Sequence, residues 1–254
     1  MRGIMSGHSK WATIKRAKGA ADAKRGAVFT KLTREIIIAT RQGGPNPEGN
    51  FRLRLAIQKA RDNNMPKDNI ENAIKKGSGA AEGTTFTEMV LEGYGPAGVA
   101  ILVEAMSDNR NRTVSEVRST FQKYNGNMAE AGSVSWLFEN TGVIAVETAG
   151  IDPDELSIYA IDAGAKDVKE DKGLLEIYTE PQDFEMVKLA TEKRKEPVSA
   201  EVTMVPKTTV ALPEKEALQT VKLLEKLEDL DDVQRVFSNL EYTDALIEKL
   251  KAGI

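Results

Sequence analysis

The sequence of 254 residues contains no cysteine and a single histidine, His8. Disulfides and cysteine-based metal sites are therefore excluded, and one histidine is too few for a His-based triad or zinc site. No apolar run approaches the roughly 18 residues that a membrane helix needs. The N-terminus also lacks the apolar core of a signal peptide. These absences predict a cytoplasmic protein that has no membrane partner, no cofactor and no metal.

Charge is distributed unevenly along the chain. Residues 1–79 contain 17 Lys and Arg against 6 Asp and Glu, a balance of +11, whereas residues 80–254 have a balance of −15. Runs of charge usually do no more than solvate helix faces. Because the basic excess is large and confined to one segment, it predicts an anion-binding module joined to acidic modules.

The first 79 residues predict a helical bundle. Apolar residues recur at helical spacing in two stretches, namely Phe29, Leu32, Ile36 and Ala39, and then Leu53, Ile57 and Ala60. The first helix should stop at Gly43-Gly44-Pro45, and a third should begin at Pro66 and end at Gly77. Residues 77–83 indicate a linker.

After the linker the pattern favours strands. Residues 86–94 and 99–105 predict two strands, with Gly93, Gly95 and Gly98 in their connection. These glycines match the spacing of a dinucleotide-binding loop, but such a loop needs a helix after it. Because a strand is predicted there instead, the glycines indicate a tight turn.

The next segment predicts a helix and then another strand. Thr113 and Glu116 have the spacing of a capping box, which predicts a helix that opens there and runs through Lys123. Residues 133–138 predict a strand, and Trp136 is expected to belong to the core because it lies within that strand pattern.

Residues 142–206 carry the clearest topological signal. The predicted elements are a strand at 143–148, a helix capped at Asp152, a hairpin about 171–173, a helix from Pro181 and a strand at 198–205. Their order, βαββαβ, is that of a ferredoxin-like unit. Residues 207–238 then predict a strand, a helix and a strand that complete the sheet begun at residue 86.

Together these elements predict an α+β fold of three domains. The expected boundaries are 1–79 for a basic helical bundle, 84–140 together with 207–254 for a middle α+β domain, and 141–206 for a ferredoxin-like domain inserted in the middle one.

Candidate nucleic-acid contacts lie in the basic first segment. Cations at this density track a phosphate backbone, and the predicted contacts are Lys10, Lys15, Arg16, Lys18, Lys24, Arg25, Lys31, Arg34, Arg52 and Arg54. Trp11 either stacks on an exposed base or plugs the helical core, and the sequence favours neither interpretation. No zinc finger, homeodomain or RNP motif is present to read a base sequence.

Arg110 and Arg112 form a second candidate site. They lie between a predicted strand and a predicted capped helix, so both are expected on an exposed loop. One interpretation is a loop held only by the turn chemistry of its Asp and Asn residues. The alternative is a contact with an anion or with a protein partner.

The sequence also resembles the YebC/PmpR family. The matching stretches are residues 7–15 (GHSKWATIK), 29–32 (FTKL), 34–36 (REI), 43–45 (GGP), 52–54 (RLR), 64–70 (NMPKDNI), 73–77 (AIKKG), 92–98 (EGYGPAG), 108–113 (DNRNRT) and 132–134 (GSV), with Trp136 and Phe138. The resemblance spans nearly the whole chain. It implies the same three-domain layout and a DNA-binding transcriptional regulator, while other members are described as translation factors that act at the ribosome.

Three functional hypotheses follow. The first is a non-enzymatic nucleic-acid-binding regulator of gene expression, whose target is either DNA or RNA on the ribosome. The second is an adaptor whose basic domain meets an acidic protein. The third is an enzyme that uses carboxylates, and it is disfavoured because no pair among the 39 acidic residues stands out by position.

Overall fold

A computed structural model describes residues 23–79 and 86–252, with side chains left out at 23–25 and 251. The described residues form eight α-helices and two four-stranded sheets, which confirms the predicted α+β class. They fall into two compact units. Of the described residues, the first unit contains 23–79, 86–131 and 219–236, and the second contains 132–218 and 237–252. The predicted boundaries of the three domains stay a prediction.

Three helices open the described chain, namely α1 (Ala23–Gly43), α2 (Phe51–Asp62) and α3 (Lys67–Gly77). Both predicted stripes lie in one apolar core, where Leu32, Ile36, Ala39, Leu53, Ile57 and Ala60 are buried and Phe29 packs against them. α1 ends where the glycines predict, since Gly44 has a φ of +86° and its amide donates to the carbonyl of Thr40.

Asn50 fixes the turn between α1 and α2. Its side chain caps α2 by accepting a hydrogen bond from the Leu53 amide at 3.0 Å. The same side chain donates to the carbonyls of Ala39 and Gly44 at 2.7 and 2.8 Å. The first turn of α2 is therefore held against the last turn of α1, and α2 runs back along α1.

The first sheet has the strand order β3-β1-β2-β8. Its strands are β1 (Thr87–Tyr94), β2 (Ala100–Ser107), β3 (Asn127–Ala129) and β8 (Val233–Ser238). The connection between β1 and β2 is the short 3-10 helix Pro96–Gly98, so the tight turn predicted from the glycines is confirmed. β8 arrives after the helix α7 (Glu214–Glu228), and its place next to β2 confirms that late elements complete this sheet.

The predicted capping box is wrong. Helix α4 (Arg110–Lys123) is capped by Asn109, whose side chain accepts from the amide of Arg112 at 3.1 Å. Thr113 lies inside the helix and is buried, so its side chain is not the cap. An Asx cap satisfies the first amides of a helix as well as threonine does, and here the chain has turned into the helix before Thr113 is reached.

The predicted strand at 133–138 is also wrong. Residues Ser135–Leu137 form a 3-10 helix, and the strand β4 begins only at Phe138. Trp136, which the strand pattern placed in the core, is 64% exposed. Val134 and Phe138 are the buried residues of this segment. The apolar spacing therefore comes from a turn with one buried residue on each side of it.

The second sheet confirms the ferredoxin-like arrangement. Its elements are β4 (Phe138–Glu147), α5 (Pro153–Asp162), β5 (Asp167–Asp171), β6 (Leu174–Thr179), α6 (Phe184–Glu192) and β7 (Ser199–Pro206). The strand order is β5-β6-β4-β7, with antiparallel pairing throughout. The chain therefore enters through a central strand and leaves through an edge strand, as the βαββαβ unit requires.

Three details at the C-terminal end of the chain differ from the prediction. The helix predicted from Pro181 begins at Phe184, after a turn. The strand predicted after residue 207 is reduced to an isolated bridge between Val210 and Leu240. A last helix, α8 (Asp244–Ala252), was not predicted. No helix among the described residues is long and apolar enough to cross a membrane.

Candidate nucleic-acid interface

The predicted contacts divide into those that the structure describes and those that it does not. Lys10, Trp11, Lys15, Arg16 and Lys18 lie outside the described residues. Lys24 and Arg25 lie in the first turn of α1, but their side chains are not described. Lys31, Arg34, Arg52 and Arg54 have described side chains, and all four point to groups of the protein itself.

Lys31 and Arg34 of α1 contact the end of α7 and the residues that follow it. Lys31 Nζ donates to the carbonyl of Glu228 at 2.6 Å, on the last residue of α7. Arg34 pairs with the carboxylate of Asp232 at 3.1 Å and also donates to the Asp231 carbonyl. The last carbonyls of a helix lack partners within the helix and attract cations, so these contacts are favourable.

Asp232 is a buried carboxylate at the centre of a group, here called the Asp232 cluster, formed with Arg34, Ser107, Arg112 and Thr113. One carboxylate oxygen faces Arg34. The other accepts from Ser107 Oγ at 2.9 Å, Thr113 Oγ1 at 2.7 Å and Arg112 at 2.7 Å. The side chain of Asp232 is only 4% exposed, and the cluster supplies the partners that a buried carboxylate needs.

The environment of Asp232 stabilises its charged form. Burial alone raises the pKa of this carboxyl, but hydrogen bonds from Arg112, Thr113 and Ser107, together with the charge of Arg34, outweigh burial. The net result is a pKa below the ordinary value of 3.8. Asp232 is therefore a fixed negative charge at neutral pH.

Arg52 of α2 lies in a second group, here called the Glu88 cluster, formed with Glu35, Gln42 and Glu88. Its guanidinium contacts Glu35 Oε1 at 3.0 Å and Glu88 Oε2 at 3.1 Å, and it donates to Gln42 at 2.7 Å. The side chains of Arg52 and Glu88 are 35% and 38% exposed, so water reaches Glu88 far more than it reaches Asp232.

The pKa shifts in the Glu88 cluster reflect mutual stabilisation. Burial lowers the pKa of Arg52, but its hydrogen bond with Glu88 and the charges of Glu35 and Glu88 raise it more, so the net pKa lies above the ordinary value. The hydrogen bond from Arg52 lowers the pKa of Glu88, and burial only partly opposes this. Both side chains are charged at neutral pH, and each offsets the charge of the other.

The side chain of Arg54 also binds groups of the helical region itself. Its guanidinium donates to the carbonyls of Pro47 and Glu48 at 3.0 and 3.3 Å and lies 5.6 Å from the centre of the Phe51 ring. These contacts hold the connection between α1 and α2. The described part of the chain therefore does not present Lys31, Arg34, Arg52 and Arg54 as a row of unengaged cations.

Arg110 and Arg112 are not on a loop, which corrects the prediction. Both lie in the first turn of α4. Arg112 pairs with Asp108 at 2.9 Å and with Asp232 at 2.7 Å, so it belongs to the Asp232 cluster. Arg110 is exposed. The turn chemistry of Asp108 and Asn109 is present, but its effect is to start a helix rather than to hold a loop.

Other cations of the helical region are exposed and are not among the predicted contacts. Lys59 and Arg61 lie in the last turn of α2, and Lys75 and Lys76 lie in the last turn of α3. All four side chains are exposed, and none forms an ion pair within the described ranges. Cations at these positions also complement the negative end of a helix. Their place in a last turn was the sequence signal that could have drawn attention to them.

The geometry of the bundle brings the end of α2 towards the beginning of α1. Asn50 holds the first turn of α2 at Ala39, and α2 has 12 residues, so it extends about 18 Å back along α1. Counted back from Ala39, the same length of α1 reaches about residue 28, which is a few residues after Lys24 and Arg25. Lys59 and Arg61 thus lie at the end of the bundle where α1 starts.

The described residues include exposed cations but no cluster of metal ligands. Among the described residues, no group of three or more His, Cys, Asp or Glu side chains is placed to hold a metal ion. The exposed cations are of the kind that contact phosphates without reading bases. The fold and these features define a class, an α+β protein with a basic helical region, an antiparallel sheet and a ferredoxin-like unit.

Comparison with known proteins identifies the family. Residues 9–80 match the TACO1/YebC protein N-terminal domain, and residues 86–240 match the TACO1/YebC second and third domain. The chain therefore belongs to the YebC family, as the resemblance of its motifs predicts.

Curated relatives and a solved structure agree with this assignment. A probable transcriptional regulatory protein of Dehalococcoides mccartyi is 65% identical over 96% of this chain and 98% of its own length. One from Trichlorobacter lovleyi is 56% identical over 97% of this chain and 100% of its own length. The crystal structure of a conserved hypothetical protein from Aquifex aeolicus is similar with a TM-score of 0.78 and 49% identity, covering 88% of this chain and 93% of that one.

Proposed function

We propose that this protein is a non-enzymatic, cytoplasmic regulator of gene expression that binds nucleic acid through its basic first segment. The observation that carries the proposal is the charge balance of +11 over residues 1–79 against −15 over the rest. The names of its relatives, probable transcriptional regulatory proteins, support a regulatory role. An adaptor without nucleic acid is the competing hypothesis, and it predicts a protein complex that survives nuclease treatment.

The proposed contact surface is narrower than the predicted one. Lys31, Arg34 and Arg52 are engaged by carbonyls and carboxylates of the same unit, so phosphate would have to displace those partners. Residues 1–25 hold seven Lys and Arg against one Asp. The predicted contacts that remain proposed are therefore Lys10, Lys15, Arg16, Lys18, Lys24 and Arg25. Lys59 and Arg61 at the end of α2 are proposed as separate phosphate contacts.

The target is proposed to be DNA, with structured RNA on the ribosome as the second candidate. The relatives' names favour DNA. The absence of a base-reading motif and the balance of −15 beyond residue 79 favour RNA, since an acidic body suits docking within a larger particle. Crosslinking in cells, followed by sequencing of the attached nucleic acid, separates the two. Promoter fragments support the first target, and ribosomal RNA supports the second.

Charge reversal tests the surface directly. Lys15→Glu, Lys18→Glu and Arg25→Glu together should abolish binding, and Lys59→Glu with Arg61→Glu should weaken it, because each removes cations that face phosphates. Lys59 and Arg61 are exposed, and exposed substitutions rarely cost much stability. Circular dichroism and thermal unfolding check that each variant is folded as the wild type is. The matched control for the double variant is Lys215→Glu with Lys222→Glu, which changes the charge by the same amount at two exposed positions of α7.

Salt dependence provides an independent measure of the same contacts. If about six phosphates are neutralised, affinity should fall by roughly 10³-fold between 50 and 200 mM salt. A flat salt response, or unchanged binding by the triple variant, would contradict an electrostatic surface at this end of the chain. Equal losses in the α7 control would show that only net charge matters.

A further inference from the structure

The turn that leads into β4 presents a tryptophan to solvent. Trp136 lies in the 3-10 helix Ser135–Leu137, and 64% of its surface is exposed. Within residues 23–79 and 86–252 it is the one aromatic side chain in the exposed class. A tryptophan left in water forgoes the burial of a large apolar surface, and exposed aromatic residues are enriched where ligands bind.

The polar edge of the indole is already satisfied within the turn. Nε1 donates to the carbonyl of Ser133 at 3.0 Å, and the amide of Leu137 donates to the carbonyl of Val134 at 2.9 Å. The nitrogen-bearing edge therefore faces the backbone, and the side chain offers the carbon surface of its ring to solvent. A surface of this kind stacks on another flat ring without needing a hydrogen bond from it.

A lysine adds positive charge at the same turn. Lys207 Nζ donates to the carbonyl of Trp136 at 2.9 Å, and the Lys207 amide donates to the carbonyl of Leu137 at 2.8 Å. The residue that follows β7 is thus tied to the turn, and its exposed ammonium lies next to the residue that bears the indole. Proteins hold single-stranded nucleic acid with this combination, a base on the ring and a phosphate on the cation.

The surroundings of Trp136 favour a base over a protein surface. Protein-docking surfaces have an apolar core built from several side chains. In the second unit, the helices α5 and α6 carry several exposed apolar residues, namely Ile158, Ile161, Met186 and Leu189. The hydrogen-bonded partners of Trp136, in contrast, are a serine carbonyl and a lysine ammonium.

We propose that Trp136 and Lys207 form a stacking site for an unpaired nucleobase. The proposal rests on the proposed function, because it assumes that the protein binds nucleic acid, and it adds a contact in the second unit to those of the basic segment. The proposed site also predicts which form of nucleic acid the protein prefers. Bases within a duplex are stacked on their neighbours and cannot reach the ring, so single strands, loops and bulges are the expected ligands.

Tryptophan fluorescence reads this site directly. The sequence has two tryptophans, so Trp11→Phe leaves Trp136 as the only one and makes it the reporter. Titration with a single-stranded oligoadenylate of about 16 nucleotides, long enough for an extended contact, should quench its emission. A duplex of the same length should bind through phosphates and leave the emission unchanged. Emission that stays unchanged when the single strand is bound overturns the stacking site.

Affinity measurements separate stacking from general apolar contact. Trp136→Leu should weaken single-strand binding by roughly 5- to 100-fold, the effect of losing about one stacked base, whereas Trp136→Phe should retain most of it. Ile158→Ala is the matched control, because Ile158 is 65% exposed in the same unit and lies outside the site. It should bind as the wild type does.

The failures of the two proposals are distinguishable. If Trp136→Leu binds as tightly as the wild type while Lys15→Glu, Lys18→Glu and Arg25→Glu together abolish binding, the stacking site is overturned and the proposed function stands. That result would also be obtained if Trp136 contacts a protein. If the wild type binds neither single strand nor duplex, both proposals are overturned.

Discussion

The Asp232 cluster and the Glu88 cluster both pair an arginine with a carboxylate, but they differ in how far that carboxylate is buried. Each engages an arginine that the sequence assigns to phosphate contact, Arg34 in one and Arg52 in the other. The side chain of Asp232 is 4% exposed and that of Glu88 is 38% exposed. Breaking the buried Arg34–Asp232 pair should therefore cost more stability than breaking the Arg52–Glu88 pair, which water and salt can screen.

This difference shows that positive charge in a sequence is not the same as positive charge on a surface. Arg34 and Arg52 contribute equally to the basic balance of residues 1–79. Arg34 is held in place, because releasing it would leave a buried carboxylate short of a partner. Arg52 is held less firmly, since its pairing is more than one-third exposed. Lys59, Arg61, Lys75 and Lys76 are exposed and form no ion pair with any described residue, so no partner within the described ranges would have to be displaced by a ligand.

The largest expected effect comes from breaking the Asp232 cluster. Asp232→Ala removes the acceptor of Ser107, Arg112 and Thr113 and the partner of Arg34. We expect the free energy of unfolding to fall by about 3 kcal/mol, the lower end of the range for breaking a buried pair, because Arg112 can turn to water. Urea unfolding of the purified protein measures it.

Asp229→Ala is the control for this change. Asp229 pairs with Lys226 at 3.0 Å in the same unit, but both side chains are nearly half exposed, so its loss should cost at most about 1 kcal/mol. Equal costs at Asp229 and Asp232 would mean that burial does not distinguish the two carboxylates, and the contrast between the buried and the exposed cluster would not hold.

Acid should weaken the two clusters at different pH. A carboxyl whose pKa is lowered in the folded state stabilises fully above its unfolded pKa and loses that contribution as pH falls through its folded pKa. The pKa values of Asp232 and Glu88 are both lowered, from ordinary values of 3.8 and 4.5 respectively. The stability gap between wild type and Asp232→Asn should therefore be constant above about pH 3.8 and narrow below it.

The corresponding gap for Glu88→Gln should begin to narrow at higher pH, from about 4.5 downwards. Thermal unfolding of the wild type and both variants across this range checks the order. A gap for Asp232→Asn that widens on acidification would show that the folded pKa of Asp232 is raised rather than lowered.

Much of the fold could be predicted because local patterns and packing agree. The stripes of α1 and α2 have helical spacing, the glycines end α1, and the βαββαβ order defines the second sheet. The predictions were wrong where one local sequence pattern is compatible with two structures. Thr113 fits a capping box, but Asn109 caps the helix one turn earlier. The apolar residues from Val134 to Phe138 alternate as in a strand, although a 3-10 turn exposes Trp136 between them.

The candidate site could be predicted only in outline, because charge neutralisation is a long-range property. The partner of Arg34 lies on the segment between α7 and β8, and a partner of Arg52 lies in β1. No pattern within residues 1–79 indicates either contact, since both depend on how the helices pack on residues far along the chain. The excess of cations was visible in the sequence, whereas which of them remain exposed required the fold.

The smallest expected effect on stability comes from changing Glu88, the more exposed of the two carboxylates. Glu88→Gln keeps the shape of the side chain and removes its charge, so Arg52 retains Glu35 as its ionic partner. The loss of stability should be no more than about 1 kcal/mol, the usual range for an exposed pair, and should shrink further in high salt because screening acts on exposed charges. Urea unfolding at low and high salt measures both. A loss equal to that of Asp232→Ala and insensitive to salt would show that the fold depends on Arg52 no less than on Arg34.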